Sequence, residues 1–332
     1  MGISQHRRTA IALSALGSLL ISGCLSQKKE ETSTTTQTGT NTPAAKKFKI
    51  GFAQANSQDP WRQVQNASLK EAVAKYPDME LEISDAHGDS NAQLGQVDNF
   101  ITNKIDLLLI SANEAAPLTP KVEEVYGKKI PVVLMERATT SDKYTTLVSG
   151  DNVKIGEMAG DFLVKSLKGK GTYVEIMGIA DATPTKDRSG GFHSKVDKES
   201  GIKKVDSYVC NYKRDESIKY MENLIQSKKH FDAVYAHNDE MAIGAMIALK
   251  NAKMDPKKVI IIGIDGVQKE AIQAVLDGDM AATFKYPWLG EEAMKAAHEI
   301  LTGQTVPRRI TPDTEMVTKD NAQDYMNRLP KM

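Results

Sequence analysis

The stretch Val234-Tyr-Ala-His-Asn-Asp-Glu-Met-Ala-Ile-Gly-Ala245 decides the fold. Residues 232–236 are a short apolar run of strand composition. The chain then turns through His237 and Asn238, and a helix opens at Asp239. Asn238 and Asp239 are good N-cap residues, and Met241, Ala242, Ala245, Met246 and Leu249 recur at helical spacing. Polar side chains at a strand's carboxyl end, just ahead of a helix, occupy the place where open α/β sheets bind ligands. Taken alone, Asn238 reads first as a helix cap.

The same unit recurs outward in both directions. Strands are expected over 48–53, 79–85, 105–110, 130–135 and 145–148, alternating with helices over 60–75, 91–102 and 118–126. A second run opens with a helix over 153–167. It continues with strands over 172–177 and 205–210, and helices over 186–199 and 215–228. After the central stretch come a strand over 259–264, a helix over 269–276, a strand over 281–286 and a helix over 291–301. Strands alternating with helices of this length predict parallel sheets covered on both faces. Two such runs in 332 residues predict two doubly wound α/β lobes.

The first residues carry no fold. His6, Arg7 and Arg8 form a positive region, and residues 10–21 are apolar but too short to span a bilayer. Ile21-Ser-Gly-Cys24 resembles the bacterial lipobox, which implies a signal peptide over 1–23, cleavage before Cys24 and lipidation of Cys24. A plain secretory signal with a chance cysteine is the other reading. Residues 25–47 are rich in Ser, Thr, Gln and Lys and read as a flexible tether. The expectation is a membrane-anchored protein working outside the cytoplasm.

Lys and Arg together number 43, as do Asp and Glu, so charge gives no support for a nucleic-acid partner. Behind Cys24 only Cys210 remains, which permits neither an internal disulfide nor a cysteine metal site.

The ends of the expected strands carry the chemistry. They deliver Gln54 through Arg62, Asp85, Ser111 with Glu114, Glu136-Arg137, Asp187-Arg188, Asn238, Asp265 and Tyr286. These are carboxylates, amides and guanidiniums, with Trp61 and Tyr286 as flat apolar surfaces. A sugar needs this mixture. Each hydroxyl both donates and accepts, and the C–H faces of the ring pack on aromatics. Each residue also has a plainer role: a turn at Asp265-Gly266, an ion pair at Glu136-Arg137, a solvated helix face at Asp187-Arg188, core at Trp61.

Several motifs carry a resemblance over residues 47–318. They are Gly51-Phe-Ala-Gln54 with Asp59-Pro-Trp-Arg62, Glu136-Arg137, Ser149-Gly-Asp-Asn152, Asp187-Arg188 before Gly190-Gly-Phe192, Ala236-His-Asn-Asp-Glu-Met-Ala-Ile-Gly244, Gly263-Ile-Asp-Gly266 and Ala281-Ala-Thr283. On these the chain resembles the periplasmic sugar-binding proteins of the ribose/galactose type, relatives of the lac-repressor ligand-binding domain. Trp61-Arg62 and the His-Asn-Asp triplet look most like the galactofuranose-binding branch. The resemblance implies a type I periplasmic binding protein fold with a three-segment hinge. Lobe one would be 48–150 plus 287–311, and lobe two 151–286 plus 312–332. It implies a monomer that binds a monosaccharide and delivers it to the permease of an ABC importer, with a chemoreceptor or sensor as a further compatible partner. A polyol or inositol is the alternative ligand. Carried over by motif, Gln54, Asp59, Trp61, Arg62, Ser111, Glu136 and Arg137 would face the ligand from the first lobe. Arg188, Asn238 and Asp265 would face it from the second, with Tyr286 at the hinge. Two positions depart from the pattern: Glu136 stands for the usual aspartate, and Asp215 stands where relatives often place an aromatic.

No G-x-S-x-G, P-loop or G-x-G-x-x-G follows a strand, and no cofactor or metal is expected. A carboxylate pair such as Glu136 and Asp265 could imitate a glycosidase, but the arginines nearby oppose the raised pKa that a general acid needs. A transcription-factor reading needs a helix-turn-helix where the lipobox and tether stand.

Overall fold

The computed structural model describes residues 47–329. The expected signal peptide, Cys24 and nearly all of the tether lie outside them. The chain order is β1 (Phe48–Gln54), α1 (Pro60–Val73), β2 (Met79–Asp85), α2 (Ser90–Thr102), β3 (Leu107–Ile110), α3 (Ala115–Gly127), β4 (Val132–Met135) and β5 (Thr146–Val148). Then follow α4 (Asn152–Ser166), β6 (Gly171–Met177), α5 (Thr183–Val196), β7 (Ile202–Val209), α6 (Arg214–Gln226), β8 (Ala233–Ala236), α7 (Asp239–Asn251), β9 (Ile260–Ile262) and α8 (Lys269–Asp277). The last part holds β10 (Thr283–Phe284), α9 (Gly290–Leu301), β11 (Arg309–Ile310), β12 (Met316–Val317) and α10 (Ala322–Asn327).

The strands form two parallel sheets. One has the order β11-β5-β4-β3-β1-β2, the other β7-β6-β8-β9. Their inner strands are apolar on both faces: every residue of β3, β4 and β8 is buried. Such strands must be covered by helices on both sides, which is what the βαβ crossovers supply. At the edges β2 and β7 are partly exposed and carry the charged residues. Two doubly wound lobes result, as the periodicity predicts.

Helix starts follow local chemistry. Asp59 caps α1 by accepting from the Trp61 N–H at 2.8 Å, and Pro60 fills the first turn. Asn238 caps α7 through the Met241 N–H at 3.0 Å. α5 begins three residues before the expected position, at Thr183, because Pro184 suits the first helical turn. The strand expected over 281–286 shortens to β10, flanked by isolated bridges from Ile262 to Ala282 and from Asp265 to Lys285. The short β11, β12 and α10 carry too little periodicity to be read from sequence. β11 pairs with β5, whereas β12 pairs antiparallel with β10. α9 packs on α1, and α10 packs on α8.

One charge sits inside the second sheet. Glu175, in the middle of β6, is fully buried and accepts from Ser189 Oγ at 2.7 Å. Its two oxygens also meet His237 Nε2 at 3.1 Å and His193 Nε2 at 3.0 Å. Burial alone would push its carboxyl up, but the two histidines and Ser189 hold it far below the usual carboxylate range. A Glu175→Ala chain is expected to lose about 3–5 kcal/mol, since it leaves buried partners unpaired; denaturant unfolding measures this. Burial holds His237 below its ordinary value, while the bond to Glu175 raises His193. The stabilisation from His237 is therefore complete above the unfolded histidine value of about 6.5 and drains as pH falls below it. That from Glu175 drains further below about 4.3. The His193 contribution runs the other way, being present below about 6.5 and lost as pH rises through the raised folded value.

Candidate functional site: a pocket at the facing sheet edges

The first lobe contributes a bonded cluster. Arg62, in the first turn of α1, donates to Gln54 Oε1 at 2.6 Å, Ser111 Oγ at 3.1 Å and Glu136 Oε2 at 2.8 Å. Ser111 donates to the same Glu136 oxygen at 2.8 Å. Arg137 lies 3.2 Å from Glu136 and donates through NH1 to the Asn113 carbonyl at 2.8 Å. Burial alone would push the Glu136 carboxyl up, but Arg62 and Arg137 outweigh it and hold it below its ordinary value.

The second lobe answers with Arg188 and Asp265. Arg188 Nε donates to Asn152 Oδ1 at 2.9 Å, NH1 donates to the His237 carbonyl, and the guanidinium lies 5.0 Å from the Tyr286 ring centre. Asp265 stands 3.9 Å from Arg188, and burial, with Asp59 and Asp239 nearby, pushes its carboxyl well up. The neighbouring Asp239, bonded to the Gly266 N–H and Thr283, is pushed up to about 7, chiefly by burial.

Two of these residues sit on strained backbone. Glu136 has φ 66° and Asp265 φ 129°, both in the region that favours glycine. Each follows a strand, and such strain persists only where the surroundings over-determine it, typically at binding sites.

All the residues expected at the site except Gln54 and Ser111 line one pocket. Gln54 and Ser111 lie behind it and hold Arg62 and Glu136 in place. Asn238 does both jobs considered for it: it caps α7 and lines the pocket, while its Nδ2 donates to the Tyr212 carbonyl at 3.3 Å. Trp61 is largely buried, donates from Nε1 to the Tyr286 carbonyl at 3.2 Å and meets the Tyr286 ring edge-on at 5.1 Å. The Tyr286 hydroxyl accepts from the Gly150 N–H at 3.1 Å and from Asn152 Nδ2 at 3.4 Å. A Cβ at Gly150 would come within 2.6 Å of this ring, so the glycine admits Tyr286 where the chain leaves the first sheet.

Sequence reasoning misses Tyr212. Its ring lines the pocket and lies 5.5 Å from the Arg137 guanidinium, and its hydroxyl bonds Thr185 at 2.6 Å. It therefore supplies an aromatic wall that the polar Asp215 seemed to remove; Asp215 lines a neighbouring chamber instead. The signal was present, because Tyr212 follows β7 just as the other pocket residues follow their strands. Its space comes from Gly178, where a Cβ would lie 2.0 Å from the tyrosine ring.

Beside the pocket the lobes touch. Glu114 supplies no capping side chain to α3. The free N–H groups there are taken from across the cleft: Ala115 donates to the Asp181 carbonyl at 3.2 Å and Ala116 to Asp181 Oδ2 at 2.9 Å. The Ala138 N–H donates to Thr183 Oγ1 at 3.1 Å. Among the described residues, no group of three or more His, Cys, Asp or Glu is placed to hold a metal ion.

Comparison with known proteins agrees with the fold. The ribose import binding protein of Bacillus subtilis is 34% identical over 285 residues, 84% of this chain and 90% of the relative. The galactofuranose-binding protein of Escherichia coli is 30% identical over 85% of this chain and 92% of its own length. Among solved structures, the fructose-binding periplasmic domain of a hybrid two-component system superposes with a TM-score of 0.81 at 38% identity, covering 84% of this chain and 93% of that one. Residues 50–305 match the family described as periplasmic binding protein domain, and the chain belongs to that family.

Proposed function

We propose that the chain is the solute-binding component of an ABC sugar importer, and that the pocket closes around one neutral sugar ring. The observation that carries this reading is the pairing of the two sheet edges. Arg62, Glu136 and Arg137 on one side face Arg188, Asn238 and Asp265 on the other, with Trp61, Tyr212 and Tyr286 as ring-sized surfaces. Near-balanced charges with forked donors fit vicinal hydroxyls rather than an ion. The relatives named for ribose and galactofuranose and the neighbour named for fructose support a small sugar. A thermal-shift series with ribose, fructose, galactose, xylitol and myo-inositol tests it. A ligand at a hundred times its Kd should stabilise the chain by about 2.7 kcal/mol, with or without chelator. A melting temperature unmoved by every sugar and polyol would sink the reading, and a shift abolished by chelator would point to a metal-assisted site.

The lobe limits that fit this role are 48–150 with 287–311, and 151–286 with 312–332. Binding by both edges supplies the differential affinity that draws the lobes together. The Asp181 contact at the start of α3 then acts as a latch outside the pocket. An Asp181→Ala chain loses a cap worth ~1 kcal/mol, so every sugar should bind about fivefold more weakly with the rank order unchanged. Calorimetry across the series checks this, and a changed rank order would show that Asp181 touches the ligand itself.

Outside the cytoplasm, a lipid on Cys24 and the tether behind it would hold the protein at the membrane beside its permease. The likeness to a domain of a two-component system favours a second role, presenting the loaded form to a sensor.

A further inference from the structure

Behind the pocket, the buried Glu175 reaches the residues on either side of Arg188. Its Oε1 has two donors, Ser189 Oγ at 2.7 Å and His237 Nε2 at 3.1 Å. Both adjoin Arg188, which lines the pocket. Ser189 is the next residue along α5, and the His237 carbonyl accepts from Arg188 NH1. One carboxylate oxygen therefore ties together the two segments that hold the arginine, α5 and the turn between β8 and α7. Oε2 serves the other side. It meets His193 Nε2 at 3.0 Å and Lys204 Nζ at 3.5 Å, and both of those side chains are partly exposed.

Stability alone gives no reason for a charge in the middle of β6. Well-packed apolar residues in place of a buried charged cluster are often as stable or more so. A carboxylate does something they cannot: it accepts bonds along fixed directions from two separate segments. The tie matters most to His237. This residue is fully buried, its Nδ1 has no partner among the described residues, and its ring is bonded through Nε2 alone. Its main chain is held on one side, where the N–H donates to the Ile176 carbonyl at 2.9 Å. On the other side its carbonyl aims Arg188 NH1, while Asn152 Oδ1 takes Nε at 2.9 Å. The donors of a guanidinium lie in one rigid plane, so its direction is set only when both acceptors are in place.

We infer that Glu175 is a positioning residue for sugar binding: from outside the pocket, through Ser189 and His237, it sets where Arg188 points. This rests on the sugar-binding reading of the pocket.

Two measurements on four variants test it: calorimetry with ribose, fructose and galactose, and NMR of the exchange of the Arg188 Nε–H with water in the ligand-free chain. Glu175→Met keeps the length of the side chain but removes both acceptors. His237→Leu cuts the tie to Glu175 and leaves the carbonyl that Arg188 uses, since that atom is main chain. Each is expected to weaken the preferred sugar tenfold or more and to speed the exchange of the Arg188 Nε–H. If Glu175→Met does not fold, His237→Leu carries the test. Glu175→Gln keeps an acceptor where Ser189 and His237 donate, and its amide can donate to a neutral His193, so it should bind within threefold of wild type. Ile261→Ala opens the core of the same sheet away from this cluster, and should leave affinity unchanged while lowering the melting temperature. Binding within twofold of wild type in either Glu175→Met or His237→Leu would overturn the inference. So would an equal loss of affinity in Ile261→Ala, which would mark general loosening. Glu175→Gln as weak as Glu175→Met would overturn the role given to Oε1. If the wild-type chain bound no sugar, the proposed function would fail, and the Arg188 exchange rate alone would decide whether Glu175 holds the arginine.

Discussion

An Asp265→Ala chain is expected to lose sugar binding without losing stability. Asp265 is 7% exposed and stands 3.9 Å from Arg188, with its carboxyl pushed well up by burial and by the acids around it. The unliganded protein bears that cost. A sugar hydroxyl donating to the carboxylate would relieve it. Removing the group forfeits that exchange and leaves ligand hydroxyls unpaired, about 2–4 kcal/mol, or roughly 30- to 1000-fold in Kd. The melting temperature of the ligand-free chain should be unchanged or slightly raised, because a desolvated acid and its repulsion from Asp239 are gone. Calorimetry and unfolding on the same sample check the two halves. Binding within twofold of wild type would mean that Asp265 faces no ligand.

Arg62→Ala is expected to do the reverse in one respect. Arg62 is also buried, at 2% exposure, but it is fully engaged by Gln54, Ser111 and Glu136. Its loss leaves Glu136 buried on strained backbone, with only Arg137 and Ser111 to hold it. Breaking a buried pair from one side costs about 3–5 kcal/mol, so this variant should unfold markedly more easily even without sugar. Binding should also fall, since Glu136 and Arg137 lose their positions. Arg62→Lys should recover part of the stability but little of the binding, because an ammonium cannot bridge three acceptors in a plane. Equal stability of Arg62→Ala and wild type would show that the cluster does not hold this part of the fold.

These two carboxylate–arginine pairs show what sequence can and cannot reveal. The lobes were legible because buried parallel strands leave unbroken apolar runs such as Leu107-Leu-Leu-Ile110, and their crossover helices leave helical spacing. The pocket was legible because its lining residues come just after a strand or early in the helix that follows it, so local order in the chain maps onto one edge of a sheet. What was hidden depends on distance across the fold. Nothing near Gln54 or Ser111 says that they stand behind Arg62 rather than in front of it. Tyr212 escaped notice because its place depends on Gly178, which lies on another strand end. Asp181 reads as a loop residue, yet it caps a helix of the opposite lobe. The ends of β11 and β12 are too short for any period, so their partners are decided only once both sheets exist.

The most direct measurement is a crystal structure of the chain at saturating concentration of the sugar giving the largest thermal shift. A single ring should lie in the pocket, hydrogen-bonded from one side by Arg62, Glu136 or Arg137 and from the other by Arg188, Asn238 or Asp265, with an aromatic face against it. A sugar held by one lobe alone, or seated away from these strand ends, would contradict the claim that the two sheet edges form one site.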